Sequence, residues 1–178
     1  GLNHKTAPVE LRERLAIGDE QLPAALEKLR EAQAVDELVI FSTCNRTEVV
    51  FTTEDNSSIE AVKSGLADFK DIRLSEFESA LYTHSDDDAV AHLFKVASSL
   101  DSMIVGEPQI LGQVKKAYRN AVAGNTSGVI LNRLLHKTFS VAKRVRKETG
   151  IGDNAVSISY AATELAGKIF SDLSKKRV

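Results

Sequence analysis

The sequence changes in character at about residue 85, and this change restricts the fold more than any other feature. Before residue 85, short β-branched runs alternate with segments of helical periodicity, whereas helical periodicity alone follows it. The strand candidates are Leu38–Phe41, Val49–Thr53 and Ala80–Thr83. Because strands and helices alternate over so few residues, the pattern predicts an α+β fold with a small sheet rather than a large parallel one.

Apolar residues at helical spacing predict six helices. Asp19 is a candidate N-cap with Pro23 in the first turn that follows, and Ser85 with Asp88 resembles a capping box. Pro108 suits the first position of a helix. The predicted helices cover Asp19–Ala34, Ser57–Phe69, Ser85–Ser102, a segment from Glu107–Pro108 onward, Val129–Glu148 and Ala155–Leu173.

These patterns divide the chain into three parts. Residues 1–84 are expected to form the α/β sheet part, residues 85–152 a helical part, and residues 153–178 a connecting helix. The chain opens at Gly1 without a Met, and it closes where a basic run, Ser174–Arg177, begins to turn apolar. We interpret the sequence as a fragment of a longer protein.

Charge and cysteine content narrow the functional classes. A net charge of -2 over 178 residues excludes a globally basic nucleic-acid binder, although a local basic face is compatible with it. The single cysteine excludes an internal disulfide framework and a metal site made of cysteines, which favours a reducing, cytoplasmic setting. No apolar run approaches the ~18 residues that a membrane span needs.

The single cysteine, Cys44, lies in the polar run Ser42–Thr47 between two strand candidates. Arg46 places a permanent positive charge near the thiol, which favours the thiolate that attacks carbonyl groups. The surrounding hydroxyl and amide groups can donate hydrogen bonds to an oxyanion or a substrate. Two interpretations remain open: a nucleophile, or a small buried side chain of structural importance only.

Four histidines are present, and spacing does not tell which one approaches Cys44. They are His4, His84, His92 and His136. His92 falls at the edge of the apolar stripe of its predicted helix, beside Ala89 and Val96, where its position by itself favours a half-buried structural role.

The segment 102–113 contains a glycine between two glutamines. On a helix that begins at Pro108, Gln109, Gly112 and Gln113 share one face. Glycine costs ~1 kcal/mol relative to alanine inside a helix. Its presence here therefore indicates either that a ligand needs access to the helix or that another helix packs closely against it. The face is either a ledge on which a ligand rests or a solvated surface with a close helix contact at Gly112.

Basic residues recur along the predicted helix 129–148, which indicates a solvated face or a phosphate-binding surface. They are Arg133, His136, Lys137, Lys143, Arg144 and Lys147. The run Gly150–Ala155 fits the dinucleotide fingerprint G-x-G-x-x-G/A, but it follows a charged helical segment instead of a strand. A helix C-cap and turn is the better interpretation, with no nucleotide site in this chain.

Four segments together resemble bacterial glutamyl-tRNA reductase. They are GLNHKTAP at 1–8, STCNRTE at 42–48, LDSMIVGEPQILGQVKKAY at 100–118 and FSVAKRVRKETGIG at 139–152. The resemblance corresponds to the N-terminal catalytic region of that family, which ends where an NADPH-binding domain would begin. It implies a ferredoxin-like sheet part, a helical bundle and the start of a long connecting helix.

The resemblance implies an enzyme of tetrapyrrole (porphyrin) biosynthesis. In that family a cysteine thiolate attacks the ester of glutamyl-tRNA to form a thioester, which NADPH reduces to glutamate-1-semialdehyde. Cys44 matches the nucleophile, and His92 matches a histidine important for activity, with His84 as the second choice. The positions that match substrate-contacting residues are Thr43, Asn45, Arg46, Ser102, Glu107, Pro108, Gln109 and Gln113.

The resemblance also sets expectations for partners and for the limits of this chain. It implies glutamyl-tRNA as substrate, a homodimer of the full-length protein, and a complex with glutamate-1-semialdehyde aminomutase. Without the NADPH-binding domain we expect acylation of Cys44 and slow hydrolysis of the charged tRNA, but no reduction. In two alternative functions the chain catalyses no reaction. They are a non-catalytic RNA-binding module and a helical regulatory fragment.

Overall fold

The computed structural model describes residues 1–31, 35–55, 57–152 and 158–170. Three antiparallel strands form one sheet in the order β1-β3-β2, where β1 is Leu2–Asn3, β2 is Glu37–Ser42 and β3 is Arg46–Thr52. The helices of the described residues are α1 (Val9–Leu15), α2 (Leu22–Arg30), α3 (Ser57–Lys70), α4 (Asp86–Ala97), α5 (Gln109–Ala123), α6 (Val129–Glu148) and α7 (Ile158–Ile169). Short 3-10 turns cover Leu74–Glu76, Glu78–Ala80 and Gly150–Gly152.

Strand β2 is buried on both faces, which explains its uninterrupted apolar run. Leu38 and Ile40 pack into a core formed with α2 and α3, while Val39 and Phe41 pack into a second core with α4, α5 and α6. Side chains alternate between the two faces of a strand, so an all-apolar strand fits only between two layers. The sheet is therefore the middle layer of three.

Helix α5 runs antiparallel to β2. Beyond the C-terminal end of α5, the N–H of Leu38 donates to the carbonyl of Thr126 at 2.7 Å, and the Thr126 hydroxyl donates to the carbonyl of Leu38 at 2.8 Å. These bonds hold the far end of α5 at the start of β2. The first turn of α5, at Gln109, consequently lies toward the end of β2 that leads to Cys44.

Helix α6 begins at the opposite end of the sheet, where Glu37 caps it. The carboxylate of Glu37 accepts the N–H of Ile130 at 2.9 Å and of Leu131 at 2.6 Å. Two free N–H groups of the first turn are thereby satisfied, and the negative charge suits the positive end of the helix dipole. A Cβ at position 128 would lie 2.6 Å from Glu37 Oε1, so glycine there leaves room for the carboxylate.

Replacing Glu37 with alanine is expected to destabilise the fold by roughly 1 kcal/mol, the usual cost of a lost helix cap. Chemical denaturation of both proteins measures the difference. Exposed Glu10→Ala on α1 is the matched control, since Glu10 has no hydrogen bond or ion pair among the described residues. Equal destabilisation by the two substitutions would contradict the capping role.

The α+β class, the small antiparallel sheet and the strands at Leu38–Phe41 and Val49–Thr53 are confirmed, although β3 begins earlier, at Arg46. The strand prediction for Ala80–Thr83 is wrong, because Glu78–Ala80 forms a 3-10 turn. Beyond this turn, the N–H of Tyr82 donates to the carbonyl of Gly1 at 2.8 Å, and no ladder extends from that bond within the described part of the chain. The third strand is instead β1.

The helix boundaries differ from the predictions at several ends. Helix α2 begins at Leu22 instead of Asp19, with Pro23 in its first turn as expected. Ser85 occupies the N-cap of α4, but its side chain makes no capping bond; its carbonyl accepts the N–H of Asp88 instead. Helix α4 ends at Ala97 instead of Ser102, and Leu100, which the predicted helix included, is exposed.

Helices α3 and α6 match their predictions closely, and α5 begins one residue after Pro108, which holds the N-cap position. The ends of two other predicted helices, residues 32–34, 155–157 and 171–173, lie outside the described residues. Within the described residues, no helix combines the length and the apolar character that a membrane span requires.

Candidate functional site

Cys44 is exposed on a tight turn between β2 and β3. Thr43 closes the turn: its N–H donates to the carbonyl of Arg46 at 2.8 Å, and its hydroxyl accepts the N–H of Asn45 and of Arg46, each at 3.2 Å. Arg12 of α1 clamps the turn from outside by donating to the carbonyl of Cys44 at 2.8 Å and to Asn45 Oδ1 at 3.0 Å. The backbone of the thiol-bearing residue is thus held from two sides.

Arg46 is buried, with only 2% of its surface exposed, and its guanidinium group is held by two acidic residues. Nη1 donates to Glu48 Oε1, and Nη2 donates to both the backbone carbonyl and the carboxylate of Asp101, with 2.9 Å to Oδ2. Burial disfavours the charged guanidinium, but Glu48 and Asp101 outweigh this effect and raise the pKa of Arg46.

Glu48 joins Arg46 to His92. Its Oε2 lies 2.9 Å from His92 Nε2, and its Oε1 accepts the hydroxyl of Tyr82 at 2.5 Å. His84 is exposed and lies beside His92, with 4.6 Å between the ring centroids. Glu48 therefore connects Arg46, which is two residues after Cys44, with His92 on α4.

The ionised form of Glu48 is the stable one despite its burial. Burial raises the pKa of Glu48, but the hydrogen bond and charge of His92, followed by Arg46 and Tyr82, lower it below its usual value. Burial, then the Glu48 carboxylate, raises the pKa of Tyr82, which keeps its hydroxyl a donor. The network holds a buried charge pair, and the carboxylate of Glu48 stays ionised near neutral pH.

Asp101 ties the loop between α4 and α5 to the Cys44 turn. Besides Arg46, its carboxylate accepts hydrogen bonds from Lys5 and from Asn3 Nδ2, the latter at 3.4 Å. Burial opposes ionisation of Asp101, but Lys5 and Arg46 outweigh it and lower the pKa. Ser102, which is half-buried, follows Asp101 directly, so the same contacts bring it to the neighbourhood of the turn.

The rest of this loop is held by hydrogen bonds to its backbone carbonyl groups. The Ser99 hydroxyl donates to the carbonyl of Glu107 at 2.6 Å, and the Gly106 N–H donates to the carbonyl of Ser99 at 3.0 Å. Gly106 has φ of 86°, which suits glycine, and its carbonyl accepts Arg146 Nη2 from α6 at 2.7 Å. Glu107 and Pro108 therefore lead into α5 from a loop with a defined course.

The face of α5 that carries the two glutamines is open. Gln109 and Gly112 are exposed and Gln113 is half-buried, whereas Ile110 and Val114 are buried. A Cβ added at Gly112 would meet nothing within 4 Å, so close helix packing does not explain this glycine. Of the two interpretations from the sequence, the structure favours access over packing.

A cavity of about 470 Å³ lies along the free edge of β3, between α3, α4 and α6. Glu48, Tyr82, His84 and His92 line it, but Cys44 does not. β1 pairs only with Arg46 and Thr47, which leaves the remainder of this edge of β3 without a neighbouring strand among the described residues. The cavity therefore reaches Glu48 but is not lined by the thiol-bearing residue.

Several residues of this network were not predicted from the sequence, namely Lys5, Arg12, Glu48, Tyr82 and Asp101. Glu48 had a detectable signal, since it stands two residues after Arg46 on a strand and so shares its face. His4, one of the four histidines, lies directly after β1. Burial, then Arg46 and Lys5, lowers its pKa, and its Nδ1 is buried without a partner in the described structure.

Two other predicted features lie apart from the Cys44 turn. The six basic residues predicted on α6 are exposed, and His136 Nε2 lies 3.1 Å from the Tyr118 hydroxyl of α5. Gly150–Gly152 forms a 3-10 turn directly after α6, and residues 153–155 of the fingerprint lie outside the described residues. The element before this turn is helix α6 instead of a strand, so the described part of the run lacks the strand that leads into a dinucleotide fingerprint.

The fold and the site define an α+β domain that presents one exposed cysteine on a clamped turn above a buried Arg–Glu–His network. A family model described as "Glutamyl-tRNAGlu reductase, N-terminal domain" matches residues 1–149. The chain belongs to this family.

Curated relatives and a solved structure agree with this membership. The chain is 57% identical over 180 residues to glutamyl-tRNA reductase of Syntrophobacter fumaroxidans and 52% identical over 179 residues to that of Desulfatibacillum aliphaticivorans; each match covers the whole chain. It spans only 39% and 41% of the length of these relatives. Glutamyl-tRNA reductase from Methanopyrus kandleri has a similar structure, with a TM-score of 0.72 and 32% identity over 94% of this chain and 38% of that one.

Proposed function

We propose that this chain is the part of a glutamyl-tRNA reductase that takes the glutamyl group from tRNA onto Cys44. The observation that carries the proposal is the exposure of the single cysteine on a turn whose backbone is fixed by Thr43 and Arg12. A sealed thiol would be unable to reach an ester on a macromolecule. Family membership supplies the substrate class.

The proposed step is a transfer of an acyl group from oxygen to sulfur. The Cys44 thiolate attacks the carbonyl carbon that joins glutamate to the 3′ end of the tRNA, and a C–S bond forms. The C–O bond then breaks, and the tRNA leaves as a free hydroxyl after taking up a proton. The product on the enzyme is a thioester.

Substrate binding would use residues on both sides of the Cys44 turn. Asn45, on the turn itself, would contact the substrate beside the thiol. Arg46 is suited to the substrate carboxylate because a guanidinium group binds carboxylates through two parallel hydrogen bonds. Asp101 holds Arg46 Nη2 in this structure, so a substrate carboxylate would exchange with Asp101, which retains Lys5 as a partner.

The loop and the first turn of α5 would hold the remainder of the glutamyl group. Ser102 lies beside Asp101, and Gln109 and Gln113 offer amide groups from the open face of α5. Glu107 suits the α-ammonium group of the substrate better than its carboxylate, because like charges repel. Pro108 would shape the entry into the helix.

His92 would act on this chemistry through Glu48. Its Nε2 is bound to the Glu48 carboxylate, which in turn holds Arg46. The proposal therefore assigns His92 to positioning Arg46. The neighbouring His84 ring packs against it from the solvent side.

The proposal for this chain ends at the thioester, because the dinucleotide-like run that begins at Gly150 follows a helix instead of a strand in the described residues. The reduction to glutamate-1-semialdehyde, the homodimer and the aminomutase complex that the resemblance implies are proposals about the full-length protein.

Intact-mass spectrometry after incubation with glutamyl-tRNA tests the proposal. We expect the mass to increase by one glutamyl group, with the increase mapped to Cys44 by peptide analysis and removed by hydroxylamine. Uncharged tRNA is the control. Binding of glutamyl-tRNA without any adduct, under conditions that acylate a full-length relative, would support the non-catalytic RNA-binding alternative instead.

A further inference from the structure

Positive charge in this protein is concentrated on two neighbouring helices. Together α5 and α6 carry nine Lys and Arg against one Glu, a net charge of +8. The remaining sequence carries 14 Lys and Arg against 24 Asp and Glu, a net charge of -10. The overall charge of -2 therefore conceals a strong separation of charge within one small domain.

Most of these cations have no acidic partner. Lys116 pairs with Asp19, Arg144 pairs with Glu148, and Arg146 binds a backbone carbonyl. Among the described residues, the other six make no ion pair; they are Lys115, Arg119, Arg133, Lys137, Lys143 and Lys147. All six are exposed except Lys115, which is half-buried.

Aromatic side chains lie between the two helices on the same surface. Tyr118 is hydrogen-bonded to exposed His136 and packs edge-on against Phe139, with 5.8 Å between the ring centroids. The ammonium group of Lys115 lies 5.8 Å from the centre of the Phe139 ring. We call the surface made by the six unpaired cations, Tyr118 and His136 the α5–α6 basic surface.

The α5–α6 basic surface extends toward the Cys44 end of the sheet. The N-terminus of α6 is fixed at the start of β2 by Glu37, while Arg146 near its C-terminus binds the loop that contains Asp101. Lys143 and Lys147 consequently lie toward the thiol end of the domain, and Arg133 lies toward the other end. The acidic first turn of α4, Asp86–Asp88, lies at that other end, where Asp86 and Ile130 line the same cavity.

We propose that the α5–α6 basic surface binds the sugar-phosphate backbone of the tRNA while the 3′ end reaches Cys44. This inference rests on the proposed function for its ligand. A polyanion longer than the glutamyl group is favoured because the unpaired cations extend along the helices, well beyond the first turn of α5. Each neutralised phosphate releases condensed counterions, which makes the affinity strongly dependent on salt.

Binding of uncharged tRNA, measured by fluorescence anisotropy over a series of salt concentrations, tests the surface without any chemistry. Lys143→Glu is expected to weaken binding roughly fivefold at low salt and to lower the salt slope by about 0.7–0.9 for each phosphate that the variant no longer neutralises. The double variant Arg133→Glu, Lys143→Glu is expected to weaken it by more than about tenfold. The matched control is Lys28→Glu on α2, an exposed lysine without an ion pair among the described residues.

Acylation of Cys44 by glutamyl-tRNA is measured in parallel, so that the two proposals fail separately. If the wild type is acylated and the Lys143 variants bind tRNA with unchanged affinity, the proposal that the α5–α6 basic surface binds tRNA is overturned. The proposed function is then unaffected. Weakened tRNA binding in those variants without any acylation of the wild type would support the α5–α6 basic surface and overturn the proposed function. Equal weakening by Lys28→Glu, or binding to phosphatidylserine vesicles in place of tRNA, would also overturn the surface.

Discussion

Replacing Cys44 with serine is expected to slow transfer of the glutamyl group onto the protein by at least about a thousandfold. A serine hydroxyl stays protonated near neutral pH, and without an adjacent base it is a far weaker nucleophile than a thiolate. Rapid-quench sampling followed by intact-mass spectrometry measures the rate. Because the chain has one cysteine, any remaining adduct in the variant lies on the introduced serine or on another side chain, and peptide analysis distinguishes the two.

The variant must keep its fold and its RNA affinity for this result to be informative. Cys44 is exposed, so the substitution is expected to change the free energy of unfolding by less than about 0.5 kcal/mol. Uncharged tRNA should bind the variant as it binds the wild type, since the α5–α6 basic surface is unchanged. Acylation of the serine variant at the wild-type rate would show that Cys44 is not the nucleophile.

Replacing Glu48 with alanine is expected to have the largest effect on stability, about 3–5 kcal/mol. The substitution leaves the buried guanidinium of Arg46 with one acidic partner in place of two, and it removes the acceptor of Tyr82. Glu48→Gln should cost less, because an amide still accepts the Tyr82 hydroxyl. Denaturant titration compares both with the exposed control Glu10→Gln, which should change stability by under about 0.5 kcal/mol.

The Arg46–Glu48 ion pair also predicts how the free energy of unfolding depends on pH. The pKa of Glu48 is lower in the folded protein than its usual value of 4.5, so its ionised form stabilises the fold. This contribution is fully present above pH 4.5 and is lost as the pH falls through the lower, folded value. Asp101 acts in the same direction.

Thermal unfolding between pH 3 and 6 (roughly one unit either side of the ordinary carboxyl range) measures this dependence. Glu48→Gln should flatten the acid limb of the wild-type curve. If its melting temperature falls with acid as steeply as that of the wild type, the Glu48 charge contributes nothing to folding. Glu10→Gln should follow the wild-type curve throughout.

Local patterns were sufficient for the class of fold. The apolar run Leu38–Phe41 predicted a strand, and burial of β2 between two helical layers explains why that run is not interrupted by polar residues. Periodicity located α3 and α6 nearly to the residue because each buries one long stripe. It failed at Ala80–Thr83, since a strand depends on its neighbour, and the neighbour available to β3 is Leu2–Asn3.

The sequence likewise predicted only part of the candidate site. The polar run around Cys44 predicted a turn between two strands, because hydroxyl and charged side chains make a poor core. It left open whether the thiol is accessible, and the structure shows that it is exposed. Sequence spacing did not predict that Arg46 would be almost fully buried between Glu48 and Asp101, since Asp101 is 55 residues away along the chain. Contacts at that separation arise only when α4 and its following loop pack against the sheet.

By itself, the sequence determined the α+β class, a cysteine within a polar turn, the helical second half and a basic stripe on α6. These follow from the chemistry of neighbouring residues and from periodicity along one element. Only the tertiary structure decided that His92 reaches Arg46 through Glu48, and that Tyr118 of α5 meets His136 and Phe139 of α6. Both depend on side chains from separate elements meeting in space, and packing alone brings them together.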